Sequence, residues 1–287
     1  MTSAADVELH RGRLFAVAYR MLGMRADAED AVQEAYLRWH RRDAGDVRDP
    51  LAWLVTVVTR ICLDRLRVLS AERERYVGPW LPEPLVAGPE ADDPARHAEL
   101  AADLSVAYLL VLERLAPEER AAFLLHEAFG YQHAQIAQVL GKNEAAVRQL
   151  VHRARERVHR ERPRFLVDRD AARAVVERFL HALEERDVDA LLRVLAEDVT
   201  HTADGGGRGA ARNVVRGRDR VSRLLLGLQR KFWGAARIRP VDVNGAPGFL
   251  LERDGVLRAT VALETDGERV RALYVVVNPE KLPSLSC

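Results

Sequence analysis

The sequence YQHAQIAQVLGKNEAAVRQLVHRARERV, which occupies Tyr131–Val158, decides how the chain is organised. Its apolar residues recur at helical spacing, then stop at Gly141 and resume after Asn143. Glycine accepts the left-handed backbone that ends helices, and asparagine is a favoured N-cap. The stretch therefore predicts a helix-turn-helix whose second helix can enter a DNA major groove.

The second helix has two faces of different chemistry. Its buried side is predicted to consist of Val147, Leu150, Val151, Ala154 and Val158. Its polar side carries the candidate DNA-contacting residues Glu144, Arg148, Gln149, His152, Arg153 and Arg155. Between residues 142 and 164 there are eight Lys/Arg and three Asp/Glu, a local charge of +5 in a chain of net +1. The alternative is an ordinary helical hairpin with a solvated basic face, because basic amphipathic helices are common.

Composition narrows the class of protein. A chain of 287 residues predicts two or three domains. Cys62 and Cys287 are too far apart to suggest a disulfide framework, and there is neither a signal-peptide pattern nor an apolar run long enough to span a membrane. A cytoplasmic protein without a membrane partner is expected. The histidines and cysteines lack metal-ligand spacing and no catalytic constellation is evident, so we expect no metal, no cofactor and no enzymatic activity.

The N-terminal part, residues 5–72, is predicted to be helical. In DAEDAVQEAYLRWH, Asp27 is the expected N-cap. An outward face, acidic at its start, carries Asp30, Gln33, Glu34 and Leu37. Carboxylates near a helix N-terminus are stabilising in any case, so a plain solvated face is the alternative to a binding surface.

A polar loop and a long helix follow this acidic helix. Their candidate residues for holding an unstacked base and its phosphates are Arg41, Arg42, Asp49, Arg60, Arg65 and Arg67. A surface turn followed by a charged helix face explains the spacing equally well.

Residues 73–98 differ in composition and predict a linker, rich in proline and acidic residues. Within it, WLPEP at Trp80–Pro84 is unusual, because Trp80 and Leu81 are costly to leave in water. We therefore expect this part of the linker to dock on another surface. Helical periodicity returns in residues 99–163, which contain the helix-turn-helix.

The last part, residues 169–283, predicts an α+β domain. Three helices, the first two separated near Asp187 and the third starting near Asp219, precede an antiparallel meander with turns at Asn244-Gly245, Asp254-Gly255 and Asp266-Gly267. The run DGGGRG, Asp204–Gly209, is not a phosphate loop. It indicates either a turn or bulge with positive φ, or a flexible lip that contacts the linker or another domain of the chain.

Together these segments resemble an extracytoplasmic-function (ECF) RNA polymerase sigma factor. DAEDAVQEAYLRWH and PLAWLVTVVTRICLDRLR resemble sigma region 2, and LAPEERAAFLLHEAFG with the helix-turn-helix resembles region 4. The remainder is similar to a SnoaL-like domain of the NTF2 type, a cone-shaped α+β fold. The sigma-J-like group has this extension and three short motifs, which match here as WLPEP, DGGGR at Asp204–Arg208 and NPEKL at Asn278–Leu282. Arg208 and Glu280 replace the lysine and aspartate common in the group, with charge kept.

The resemblance implies a role for each surface. Asp30, Gln33, Glu34 and Leu37 would bind the β′ clamp helices of core RNA polymerase, with the β flap as a further contact of the sigma factor. The loop near Arg41–Asp49 and the arginines of the next helix would read and hold the melted −10 strand of promoter DNA, and Glu144–Val158 would read the −35 element. The implied contacts for regulation in cis, without a separate anti-sigma factor, are Trp80, Leu81, Pro82, Asp204, Gly205, Gly206, Gly207, Asn278, Pro279 and Lys281.

Two other functions stay open at this point. The SnoaL-like fold often encloses a pocket, which His181, His201, Asp204 and Asp242 are candidates to line, so the protein could be a ligand-sensing transcription regulator. A transcription regulator that is not a sigma factor would use the same helix-turn-helix. The acidic helix argues against that last class, since a simple repressor needs no polymerase-binding element.

Overall fold

The computed structural model describes residues 9–42, 47, 49–86, 104–161, 167–207, 209–233 and 236–282. The chain forms two compact units. The first contains Met1–Glu74, Ala91–Leu104 and Tyr108–Arg162, and the second contains Arg75–Glu90, Ser105–Ala107 and Pro163–Cys287.

The first unit begins with helices α1 (Arg11–Leu22), α2 (Arg25–Arg41) and α3 (Pro50–Glu74). Gly23 ends α1 in the left-handed conformation, with φ of 73°, as its position predicts. Asp27, however, is not the N-cap of α2, because that helix already begins at Arg25. The Asp27 carboxylate instead accepts a hydrogen bond of 2.9 Å from Arg65 Nε on α3.

The chain continues with α4 (Val106–Glu113), which belongs to the first unit from Tyr108 onward, and with α5 (Pro117–Glu127), α6 (His133–Leu140) and α7 (Glu144–Glu161) of the same unit. The predicted helix-turn-helix is α6 and α7. Gly141 ends α6 with φ of 64°, and the Asn143 side chain accepts a 2.8 Å hydrogen bond from the backbone N–H of Ala146. Both local predictions for this turn are confirmed.

Two helix groups pack on each other inside the first unit. The Arg120 guanidinium of α5 is buried and donates a 2.5 Å hydrogen bond to the carbonyl of Met21 in α1. Burial lowers the pKa of Arg120 to about 10. Arg13 of α1 donates to the carbonyl of Phe129 at 3.1 Å. The N-terminal helices and the helix-turn-helix portion are therefore joined by specific polar contacts as well as by apolar packing.

The second unit contains helices α8 (Arg169–Glu184), α9 (Val188–Val194) and α10 (Arg218–Leu228), with a π-helical turn at Gln229–Trp233. Its strands are β1 (Leu195–Asp204), β2 (Val215–Arg216), β3 (Arg237–Val243), β4 (Ala246–Arg253), β5 (Val256–Thr265) and β6 (Val270–Val276). They form one sheet in the order β2-β1-β6-β5-β4-β3. The helices cover its apolar face, where the Phe179 and Phe249 rings lie 6.3 Å apart.

Strand β1 corrects the sequence prediction, which treated residues up to Val199 as the end of a helix. Leu195–Asp204 instead forms a strand that pairs in parallel with β6, whereas β1 with β2 and β5 with β6 are antiparallel pairs. From Val199 onward, buried positions alternate with partly exposed ones. Pairing with β6 outweighs the weak helical preference of the Leu-Ala-Glu run, since propensity is a small energy compared with tertiary contacts.

The hairpin turns follow the sequence closely. Asn244-Gly245 and Asp254-Gly255 each have positive φ at both residues, as a two-residue hairpin turn requires. The third turn is longer than predicted. There the Asp266 carboxylate accepts hydrogen bonds from the N–H groups of Glu268 and Arg269, at 3.0 and 2.7 Å, and so closes a wider loop.

Candidate functional site

Helix α7 presents the polar face that the sequence predicts. Its apolar residues are buried against the neighbouring helices. The six candidate DNA-contacting residues are all exposed: Glu144, Arg148, Gln149, His152, Arg153 and Arg155. An exposed, positively charged helix at the second position of a helix-turn-helix has the geometry needed to enter a major groove.

Ion pairs hold the arginines of this face in place. Arg148 contacts Glu144 at 2.5 Å within the helix. Arg153 Nε lies 2.9 Å from Glu119 of α5, and Arg155 pairs with Glu127 of the same helix. The pairs to α5 were not predicted, because no local pattern links residues that far apart. Such exposed pairs contribute about 0–1 kcal/mol each, so phosphates can replace the carboxylates cheaply.

The candidate polymerase-binding residues share one face of α2. Asp30 and Gln33 are exposed, and Leu37 is 42% exposed, which is unusual for a leucine in a helical bundle. Glu34 accepts a 2.8 Å hydrogen bond from Arg38 one turn further on. The face combines acidic groups with an uncovered apolar side chain, as a protein-binding surface does.

Three of the candidate DNA-strand residues flank the loop between α2 and α3, whose residues 43–46 and 48 lie outside the described part of the chain. Arg41 is exposed. Arg42 stacks on the Trp39 ring at 3.1 Å and donates to the Trp39 carbonyl at 2.7 Å. The Asp49 carboxylate accepts from the N–H of Ala52 at 3.0 Å, which is the geometry of a helix cap. Asp49 therefore has a structural contact of its own.

The other three lie on α3 and differ in what they contact. Arg67 is largely exposed and pairs with Asp64 at 2.7 Å. Arg65 is tied to Asp27. Arg60 reaches α6, where it donates to the carbonyls of Gln138 and Val139 at 3.2 and 3.0 Å. Arg60 is thus held by the helix-turn-helix portion and Arg65 by α2, while the Arg67 side chain stays largely in solvent.

The WLPEP segment lies in the second unit, where Asp204 anchors it. The Asp204 side chain is fully buried at the end of β1, and Lys281 Nζ lies 2.8 Å from its Oδ2. The backbone N–H of Leu81 donates to the same oxygen at 2.8 Å. Lys281 also donates to the carbonyl of Leu81 at 2.7 Å, and its ammonium sits 4.2 Å from the centre of the Trp80 ring. We call this arrangement, from Tyr76 to Val86 against the domain, the linker dock.

A second group of contacts completes the linker dock. Tyr76 donates its hydroxyl hydrogen to Asp204 Oδ1, and Asn278 Nδ2 donates to the Tyr76 oxygen at 3.1 Å. Burial, followed by the hydrogen bond to Asp204, raises the pKa of Tyr76. Gly206 has φ of 60°, and a Cβ on it would lie 2.8 Å from the Asn278 side chain. The glycine run therefore forms a turn with positive φ and also touches the tail motif.

The remaining dock residues vary in exposure. Leu81, Pro82 and Gly205 are buried, whereas Gly207 and Pro279 are exposed. Further along, the N–H of Leu85 donates to Asn244 Oδ1 at 3.1 Å, and the N–H of Asn244 donates to the carbonyl of Leu85 at 2.8 Å. Tyr76 and Asn244 were missed at the sequence level. Their role depends on long-range pairing, and only the hairpin position of Asn244 hinted at a special residue.

A cavity of 420 Å³ lies beside the linker dock, inside the second unit. Its buried floor includes His201, Ala203, Leu251, Ala259 and Val275. Its rim includes the exposed residues Phe232, Arg253, Asp254 and Arg258. Of the four residues proposed from the sequence to line a pocket, His201 alone does so among the residues described.

The other three have different surroundings. Asp204 belongs to the linker dock. Asp242 pairs with Arg169 and Arg173 at 3.3 and 3.4 Å, and His181 is exposed on α8. Whether a side chain lines the cavity depends on which face of its helix or strand it occupies. The residue types alone therefore did not predict that these three side chains lie elsewhere. In the part of the chain that the structure describes, no cluster of His, Cys, Asp or Glu could hold a metal ion, and no helix is long and apolar enough to cross a membrane.

A basic helix-turn-helix in one unit with a helical bundle is the architecture of a DNA-binding transcription factor. Family models agree with each part: "Sigma-70 region 2" matches residues 7–72, "Sigma-70, region 4" matches residues 105–158, and "SnoaL-like domain" matches residues 176–277. The chain belongs to the ECF RNA polymerase sigma factors with a C-terminal SnoaL-like domain.

Its relatives extend over nearly the whole chain. The ECF RNA polymerase sigma factor SigJ of Mycobacterium tuberculosis is 42% identical over 289 residues, which cover 96% of this chain and 92% of SigJ. A probable ECF sigma factor SigI of the same species is 35% identical over 284 residues, covering 96% and 93%. The crystal structure of M. tuberculosis SigJ matches with a TM-score of 0.80 at 39% identity, covering 97% of this chain and 98% of that one.

Proposed function

We propose that this sigma factor is regulated in cis by its C-terminal domain, through the linker dock. In this proposal the acidic face of α2 binds the β′ clamp helices of core RNA polymerase, α7 reads the −35 element, and the α2–α3 loop with α3 holds the melted −10 strand. The protein performs no catalysis itself, acts in the cytoplasm, and needs no separate anti-sigma factor.

The observation that carries the proposal is the burial of Asp204 and Lys281 around Leu81. Ionised groups are costly to remove from water, and a buried pair repays this cost only when geometry and hydrogen bonding are good. Here the pair encloses a backbone N–H and a backbone carbonyl of the linker. The charges are thus used to fix one particular segment of chain on the domain.

Docking limits how far regions 2 and 4 can separate. Tyr76 follows closely after Glu74, the last residue of α3, and the docked segment runs to Val86. An extended segment of that length spans about 35 Å, at about 3.3 Å per residue. Release of the dock returns this length to the connection between the two promoter-reading regions. The dock therefore sets whether both promoter elements are reached at once.

The experiment is run-off transcription by the full chain with core polymerase, on a genomic fragment selected for being transcribed by the wild-type pair. Leu81→Asp places a carboxylate at a fully buried position of the dock and should release the segment, changing transcript yield severalfold. Val188→Asp is the matched control, because Val188 is an exposed residue of α9 in the same domain but outside the linker dock, and it should leave the yield unchanged.

Two truncations complete the test. One chain ends near Arg169 and lacks the domain, and the other lacks only the tail from Asn278. Equal transcription by all four variants and the wild type would contradict regulation through the dock. If the selection yields no genomic fragment that the wild-type chain and core polymerase transcribe, the proposed promoter contacts are contradicted instead.

A further inference from the structure

The cavity beside the linker dock contains a polar group with no role in the contacts described so far. His201 is 2% exposed, and neither of its ring nitrogens has a hydrogen-bond partner among the described residues. A buried polar group without a partner costs about 1–3 kcal/mol. Such a group on the floor of a cavity is explained by something that enters the cavity and supplies the missing hydrogen bonds.

The chemistry of His201 limits what that molecule can offer. Burial lowers the pKa of His201 to about 4, so its ring is neutral at pH 7. A neutral imidazole has one donor and one acceptor nitrogen. A hydroxyl group matches it well, because a hydroxyl both donates and accepts.

The walls and rim specify the rest of the molecule. Most of the lining between floor and rim is apolar, including Leu224, Leu228 and Trp233. At the rim, Arg253 lies 3.8 Å from Asp254, whereas Arg258 has no carboxylate partner among the described residues. The cavity volume of 420 Å³ falls in the range of about 300–1,000 Å³ typical of small-molecule sites.

We propose that the cavity binds a compact aromatic or cyclic acid, with a hydroxyl group that faces His201 and a carboxylate that faces Arg258. This site goes beyond promoter recognition. It also has a physical connection to the linker dock: Ala203 and Val275, which line the cavity, directly precede Asp204 and Val276 on the paired strands β1 and β6. Binding in the cavity is therefore coupled to the hold on the linker, and this second part rests on the function proposed above.

The test uses three fluorescent probes with the full chain: 6-hydroxy-2-naphthoic acid, 2-naphthoic acid without the hydroxyl, and 2-naphthol without the carboxylate. The expected result is saturable binding of 6-hydroxy-2-naphthoic acid with one site per chain, at least fivefold tighter than either of the other two. Absence of saturable binding, or equal affinity for all three probes, overturns the proposal.

Single-residue variants test which side chain contacts the hydroxyl and which contacts the carboxylate of the probe. His201→Phe should weaken 6-hydroxy-2-naphthoic acid at least fivefold and leave 2-naphthoic acid unchanged. Arg258→Ala should weaken both acids and spare 2-naphthol, while Arg220→Ala, an exposed arginine of α10 outside the cavity lining, should change nothing. Ala259→Trp should fill the floor and abolish binding. Because Arg258 is exposed, its substitution keeps the test valid even if a core variant misfolds; equal effects of Arg258→Ala and Arg220→Ala overturn the assignment.

The coupling has its own readout. Linkage is reciprocal, so a ligand that alters the dock must bind differently when the dock is released. Leu81→Asp should change the Kd of 6-hydroxy-2-naphthoic acid at least fivefold, and Val188→Asp, at an exposed position outside both the dock and the cavity lining, should not. An unchanged Kd in Leu81→Asp overturns the coupling, while run-off transcription with Leu81→Asp in the absence of any probe tests the proposed function separately.

Discussion

Helix α7 and the linker dock both concentrate charged residues, yet they place them in opposite environments. On α7, Arg148 and Glu144 pair at the surface, with about half of each side chain exposed. In the dock, the side chains of Lys281 and Asp204 are 4% and 0% exposed. Water screens the first pair and is excluded from the second. The comparison teaches that charge stays available to a partner in one place and forms a structural clamp in the other, and that burial decides between them.

The largest expected effect comes from breaking the buried pair. Lys281→Met leaves Asp204 buried without its counter-ion, so the free energy of unfolding should fall by about 3–5 kcal/mol. Urea unfolding of the full chain, followed by circular dichroism, measures this loss. Lys142→Met is the matched control, since Lys142 pairs with Glu118 at 3.1 Å on the surface of the first unit, and its cost should stay below about 1 kcal/mol. If Lys281→Met and Lys142→Met lowered the free energy of unfolding equally, the contrast between the buried pair and the surface pair would be contradicted.

His201 adds a pH dependence to the same domain. Its pKa is about 4 in the folded chain and about 6.5 when unfolded. As pH falls from 6.5 to 4, the unfolded chain takes up a proton that the folded chain rejects, so stability is full above pH 6.5 and declines through this window. The decline should amount to about 3 kcal/mol. Urea unfolding across this pH range measures the decline. The His201→Phe variant should lack the part of the pH dependence that comes from His201. The same pH slope in the variant and the wild type would contradict a buried neutral histidine.

On α7 the effects should appear in DNA recognition rather than in folding. If Arg148 contacts a base edge, Arg148→Ala should cost about 1–3 kcal/mol of binding and relax specificity at one position of the −35 element. Arg153→Ala, the matched phosphate-side variant, should weaken all sequences alike and flatten the salt dependence. Affinities of the polymerase holoenzyme for a set of −35 variants measure both. If Arg148→Ala weakened binding to all −35 variants equally, Arg148 would be a phosphate contact like Arg153.

The sequence predicts local geometry better than it predicts partners. Gly141, Asn143 and the Asn244-Gly245 turn were identifiable because each acts through its own backbone or that of near neighbours. Strand β1 was missed because its conformation depends on β6, about seventy residues further along the chain. The sequence could mark WLPEP as costly to expose and could offer the run that starts at Asp204 as its contact, but for the same reason it gave no sign that Tyr76 takes part.

The candidate DNA-strand residues illustrate the same limit. Their charges and order are evident from the sequence, but Arg60 contacts α6 and Asp49 caps α3. Those contacts give each residue a structural role beside any role in binding DNA. Residue type and spacing define a surface only after the fold decides which side chains remain available.

The smallest stability effect is expected on the acidic face of α2. Asp30→Arg changes an exposed position and Glu34→Arg a partly exposed one, so the free energy of unfolding should change by no more than about 0.5 kcal/mol in each. Binding to core polymerase should nevertheless weaken, because like charge replaces opposite charge at the proposed contact. Urea unfolding and a core-polymerase pull-down, run on the same preparations, measure the two effects. A large loss of stability with intact binding would make this face structural.

Amide hydrogen exchange at Leu81 and Leu85 tests the central claim most directly. In the full chain, these N–H groups donate to Asp204 and Asn244. If the C-terminal domain holds the linker, both amides should be protected to the same degree as those of β1, since opening the dock would then require unfolding around Asp204. In the Leu81→Asp chain, the amide of Leu85 should lose that protection while the β1 amides keep theirs. Exchange of both amides at the rate of an unstructured peptide in the wild-type chain would contradict the account.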